Sequence, residues 1–134
     1  MDSKNIKLVL FDEDNQEAIS ECSFNSKNFD KKEARVMFES VCKAYGIFVE
    51  RNAEYGTDTW RLPEFPSLAP TLNAVLAHVK IRRVLNIITN NLLMDNKSME
   101  MALDNAIDTA NYAHFLSITL EAYKEKIIKL EKRE

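Results

Sequence analysis

Glycine and proline are scarce in this 134-residue chain, with two and three residues, and neither type occurs after Pro70. Without backbone breakers the second half cannot make the turns of a many-stranded β fold, so long helices are expected there. Cysteine is equally sparse. Cys22 and Cys42 form no CxxC pattern and have no histidine at metal-ligand spacing, so reduced thiols in a cytoplasmic setting are expected ahead of a structural disulfide. The N-terminus shows no signal-peptide pattern, and no apolar run approaches the ~20 residues that cross a bilayer, so no membrane contact is expected. The two histidines, His78 and His114, lie far apart, which argues against a histidine-rich metal site. GxxxxGK[ST], GxGxxG, HExxH and GxSxG are all absent, excluding much standard enzymology. A net charge of −3, from 18 basic and 21 acidic residues, provides no overall basic field and argues against nucleic acid as a partner.

What is present is an ordinary globular balance, 46% apolar and 29% charged, in a chain of one-domain length. Residues 6–11 (IKLVLF) are β-prone, 12–16 (DEDNQ) turn-like, and 18–24 (AISECSF) fit a returning strand, so residues 1–28 read as an N-terminal β-hairpin extension. A lone two-stranded hairpin is marginal and needs a partner surface. Residues 29–134 read as an all-α domain. Asp30 caps a first helix, with Glu33 completing a capping-box pattern. Its apolar stripe runs Ala34, Met37, Phe38, Val41, Tyr45, Phe48, and Gly56 suits its C-terminus. A loop over 57–69 carries Trp60, Phe65 and two prolines, and Pro70 opens a second helix reaching about Asn91. Ser98 is the expected N-cap of a third helix running to Lys132, roughly 50 Å at ~1.5 Å per residue. That is longer than the domain needs, and its overhang (Tyr123, Ile127, Leu130 among Lys and Glu) points to helix pairing between subunits or to a solvated tail.

The segment 100–115 (EMALDNAIDTANYAHF) is the most informative. On a helix, Glu100, Asp104, Asp108, Asn111 and Phe115 share one stripe, flanked by Met101, Tyr112, Leu103 and Ile107. The opposite face holds only Ala102, Asn105, Ala106, Thr109 and Ala113, so the carboxylates are expected to face inward. Inward carboxylates need a cation or a salt bridge. Two oxygen ligands one turn apart suit Mg2+ with substrate phosphates. Arg83, on the stripe of Leu72, Leu76, Val79 and Ile87, and Lys80 one turn earlier suit a buried ion pair instead. Asn52 continues the stripe of the first helix, Tyr55 and Trp60 suit either base stacking or a core, and Glu50 and Glu54 fall on the solvent side of the wheel.

The order RNAEYGTDTW, KIRR, DNAIDTANYA resembles the nucleotide modification associated domain 1 family, frequent in phages and prophages and grouped with the MazG-like all-α nucleoside triphosphate pyrophosphohydrolases. In its first motif Arg51 and Glu54 are conservative replacements, while Asn52, Tyr55, Gly56 and Trp60 are retained. Lys80 and Arg83 match KxxR; Asp104, Asp108, Asn111 and Tyr112 match DxxxDxxNY. The likeness covers about residues 30–120 and leaves the hairpin unexplained. It implies a mainly α, MazG-like helical bundle completed by oligomerisation, as a homodimer or homotetramer, in the bacterial host cytoplasm if phage-encoded. The implied activity is Mg2+-dependent nucleoside triphosphate pyrophosphohydrolysis. Asp104 and Asp108 would be catalytic and hold the metal with Glu100 or Glu54. Lys80 and Arg83 would neutralise phosphates, and Asn52, Tyr55, Trp60, Asn111 and Tyr112 would bind the ligand at base or sugar. The acidic box departs from the MazG pattern: Asn105 stands three before Asp108, and Glu50 and Glu54 have the wrong spacing. A phage-type protein that sequesters a nucleotide-derived signal without catalysis is the alternative, and a structural oligomerisation protein the third.

Overall fold

The computed structural model describes residues 3–55, 59–91 and 95–133. The chain is mainly helical with one antiparallel hairpin, as expected, in the order β1 (Lys4–Asp12), β2 (Glu17–Ser26), α1 (Lys31–Tyr55), α2 (Ala69–Asn90) and α3 (Asn96–Glu131). Two single-turn helices, Thr59–Arg61 and Pro66–Leu68, lie between α1 and α2, where a plain loop was expected. The chain divides into two compact units, Met1–Ser40 and Val41–Glu134. Among the described residues no helix is long and apolar enough to cross a membrane. Cys22 and Cys42 are both free.

In the first unit both strands extend beyond the β-prone runs 6–11 and 18–24. Ile6 pairs with Phe24 and Leu8 with Cys22, and a register shift between Leu10 and Phe11 brings Phe11 opposite Ala18. The turn is held by Asp12, whose Oδ1 accepts the Asp14 and Asn15 backbone N–H groups at 3.0 and 3.2 Å, with Gln16 in the left-handed region at φ 51°. The Asn15 side-chain amide, donating to Oδ2 at 2.8 Å, and then those backbone bonds hold the Asp12 carboxyl below the usual carboxylate range. Asp30 caps α1 as its sequence position predicts, its Oδ1 accepting from the Lys32 and Glu33 N–H groups at 2.9 and 3.2 Å.

The second unit is built on the α2/α3 pair. The short connection between two long packed helices makes them antiparallel neighbours. Pro70 lies in the first turn of α2, where its missing N–H costs nothing. The N-cap of α3 is Asp95 and not Ser98. The carboxylate accepts the Ser98 N–H at 2.7 Å, and this bond holds the carboxyl low. A Ser at the cap position and an Asp three residues earlier give the same sequence signal, and the charged acceptor near the positive helix end wins.

The inner face of α3 is the one that carries small residues. Ala102 and Thr119 are buried, and Asn105 and Thr109 half-buried. Small side chains allow close approach to α2, and the polar ones satisfy themselves on their own helix. Asn105 Nδ2 donates to the Met101 carbonyl at 2.8 Å, Thr109 Oγ1 to Asn105 at 2.7 Å, and Thr119 Oγ1 to Phe115 at 2.7 Å. This corrects the expectation that the whole acidic stripe faces inward. Asp108, at the edge of the inner face, is buried, whereas Glu100 and Asp104 are exposed.

Candidate functional site

All the described features of the site lie within the second unit. A cavity of about 450 Å³ opens where the last turns of α1, the Trp60 turn, the first half of α2 and the middle of α3 meet. On α1 the residues are Phe48, Arg51 and Asn52; on α2 Leu72, Asn73, Leu76 and Lys80; on α3 Asp108, Asn111, Tyr112 and Phe115, with Thr59 and Trp60 between α1 and α2. The spacings follow from helix geometry: 48, 51 and 52, then 72, 73, 76 and 80, then 108, 111, 112 and 115 each fall on one face.

One wall is aromatic. Phe115 is its centre, stacked on Trp60 with centroids 4.6 Å apart and planes 11° apart. Phe48 lies at 5.4 Å and Tyr112 meets the Phe115 ring edge-on at 5.8 Å. The guanidinium of Arg61 stands 4.6 Å from the Trp60 ring, a cation–π contact. Trp60 is positioned by a sharp reversal after its turn. Leu62 takes a left-handed φ of 45°, and its carbonyl accepts the Phe65 N–H at 2.9 Å.

The other wall is charged. The Asp108 carboxylate, 9% exposed, receives Arg51 Nη1 on Oδ1 and Lys80 Nζ on Oδ2, the latter at 3.0 Å. Two cations on one carboxylate leave this wall with an excess of one positive charge. Arg51 is half exposed and Lys80 mostly covered. The hydrogen bond to Asp108 raises the Arg51 pKa above its already high ordinary value, against an opposing contribution from burial, so this group stays a cation.

Between the walls sit amide groups. Asn111 Nδ2 donates to the Ala44 carbonyl at 3.1 Å and ties α3 to α1. Asn73, fully buried, donates from Nδ2 to the Trp60 carbonyl at 3.1 Å. Asn73 Oδ1 and Trp60 Nε1 are buried with no hydrogen-bond partner among the described residues. An unsatisfied buried acceptor or donor costs about 1–3 kcal/mol, so the Asn73 bond to the Trp60 turn is made at some expense to the fold.

Of the residues singled out from sequence, Asn52, Trp60, Lys80, Asp108, Asn111 and Tyr112 come together here. Asp104, Glu100, Glu54 and Arg83 do not. All four are exposed and none lines the cavity. Arg83 was expected beside Lys80 and shares the face of Leu72, Leu76 and Lys80, but it lies almost a turn further along α2, beyond the end of the cavity, and is exposed. The Tyr55 side chain and Gly56 lie outside the described residues. Sequence reasoning missed Arg51 and Asn73 as site residues. Arg51 is three residues after Phe48 on the stripe of α1, and Asn73 interrupts the stripe Ala69, Leu76, Lys80 with an amide, so both had a periodicity signal.

The residues present do not fit Mg2+. Each oxygen of Asp108 already faces a cation, the neighbouring carboxylates are turned to solvent, and no group of three His, Cys, Asp or Glu among the described residues is placed to hold a metal. No family model, curated protein or solved structure matches this chain.

Proposed function

We propose that this cavity binds an anionic small molecule with a flat aromatic part, a nucleotide or nucleotide-derived molecule, and holds it without hydrolysing it. The observation that carries the reading is the joining, in one cavity, of an aromatic wall to a buried carboxylate held between two cations. A volume of about 450 Å³ lies in the range of small-ligand sites. A phosphate competes with Asp108 for Arg51 and Lys80. Arginine meets phosphate through its fork and lysine as a point charge, so both partners of Asp108 suit the exchange. The aromatic part packs against Tyr112 and the Phe115–Trp60 pair. The order of the three sequence motifs supports the nucleotide class. In the same proposal the fold is of MazG-like type and a second subunit accompanies the first.

The hydrolase reading asks Asp108 to be a metal ligand, and its engagement with Arg51 and Lys80 favours binding instead. Thermal melting with a panel of nucleotides, with and without Mg2+, followed by assay of released pyrophosphate, tests the proposal. A ligand at ~100 times its dissociation constant adds roughly 2.7 kcal/mol of stability. Stabilisation without product is the expected result. Mg2+-dependent pyrophosphate release would replace binding with hydrolysis, and no shift with any nucleotide would sink both.

A further inference from the structure

The two packed helices of the second unit differ in length. At ~1.5 Å per residue the 22 residues of α2 span about 33 Å and the 36 of α3 about 54 Å, so α3 runs well past its neighbour. The face of α3 that packs inward passes through Ala102, Thr109, Leu116 and Thr119, and the same face continues through Leu120, Tyr123, Ile127 and Leu130. These last four are between 38% and 54% exposed. From Leu116 they follow one another at intervals of four, three, four and three residues, the repeat of a two-stranded coiled-coil seam. In that repeat Leu120 and Ile127 take the a positions, Tyr123 and Leu130 the d positions, Lys124 and Glu131 the e positions, and Lys126 a g position.

We propose that the exposed end of α3 is a dimerisation seam, and that its occupant is the same segment of a second copy running parallel to the first. Charge decides the direction. In a parallel pair each g residue meets the e residue five positions on in the other strand, which sets Lys126 against the partner's Glu131, twice by symmetry. An antiparallel pair centred on the same segment sets Lys126 against the partner's Lys126. The apolar a and d residues supply the attraction and the flanking ions choose the orientation. A seam of about two heptads is short, placing the contact at the weak, concentration-dependent end of protein interfaces. It does not depend on what the cavity binds.

Sedimentation over a wide concentration range, with helicity checked by circular dichroism, tests the seam. The full chain is expected to show reversible association, and Ile127→Asp is expected to lose that association step while keeping its helix content. Lys126→Glu alone and Glu131→Lys alone each turn two attractive pairs into two repulsive ones and weaken association roughly tenfold. The double variant Lys126→Glu/Glu131→Lys restores it to within about twofold. A chain that stays monomeric at every concentration, or an assembly unchanged by Ile127→Asp, overturns the seam. Single charge reversals without effect, or a double variant that fails to recover, overturn the parallel direction.

Discussion

Asp108→Asn separates the roles that a buried carboxylate can play in this cavity. The substitution keeps the shape of the side chain and removes its charge. In the wild type, Asp108 takes one charged hydrogen bond from Arg51 and one from Lys80. The amide has a single acceptor oxygen, so it keeps the bond to the covered Lys80 and turns its N–H groups toward Arg51; the charged bond lost is worth about 1.5–3 kcal/mol. Arg51 is half exposed and recovers part of its loss from water, which reduces the expected destabilisation to about 1–2 kcal/mol. For a chain of this size that lowers the melting temperature by roughly 3–8 °C. Ligand affinity moves the other way. With Asp108 neutral, Arg51 and Lys80 no longer have an internal anion to leave, and a phosphate between them no longer faces a negative charge about 6 Å away. At an effective dielectric near 20 that repulsion is about 2.8 kcal/mol, and exposure of the Arg51 side reduces it by roughly half. Binding of an anionic nucleotide is therefore expected to tighten about tenfold, as measured by calorimetric titration. If Asp108→Asn abolishes nucleotide binding, the carboxylate itself contacts the ligand or a metal, and the competition argument is refuted.

Three further outcomes follow from the same geometry. Trp60 is the single tryptophan, so its fluorescence is expected to change on nucleotide addition; Trp60→Phe keeps an aromatic ring against Phe115 but shrinks the aromatic wall, weakening binding several-fold with little loss of helix content. Asn73→Leu loses the bond to the Trp60 carbonyl and also the orphaned amide oxygen, so unliganded stability stays within about 1 kcal/mol, while the Trp60 turn loses its tie to α2 and nucleotide-induced stabilisation falls; unchanged stabilisation would show that Asn73 does not position Trp60 for binding. The Asp95 cap titrates lower in the folded than in the unfolded chain, so its contribution is complete above about pH 5 and fades as the pH falls through and below about 4. Melting curves of wild type and Asp95→Ala should therefore converge on acidification, and a gap independent of pH would mean that the Asp95 charge is immaterial.

The fold was legible where backbone chemistry is local. Asp30, Pro70 and the breaker-free stretch after it set helix boundaries to within a residue or two, and β-prone runs on either side of a turn-like segment marked the hairpin. Orientation was harder to read. The face of Ala102, Asn105 and Thr109 looked solvent-directed because it lacks large apolar groups, yet close helix packing selects small side chains. The polar members of that face bond to carbonyls of their own helix, a solution that leaves no hydrophobic trace in the sequence.

That misreading explains what happened to the acidic stripe. Rotating α3 so that its small face meets α2 moves Glu100 and Asp104 out to water and leaves Asp108 alone at the rim of the contact, close enough for Lys80 of α2 and Arg51 of α1. Spacing along one helix cannot distinguish a pair of metal ligands from one buried carboxylate and its exposed neighbour, because the distinction is made by charges on other helices. Lys80 was visible as a candidate counter-ion, but Arg51 was read only as a conservative replacement within a motif. Its guanidinium, aligned with Phe48 on the stripe of α1, turns an acidic signature into a cavity with net positive charge. The same sequence stripe then argues for capture of an anion, with Asp108 keeping two cations in place until a phosphate takes them.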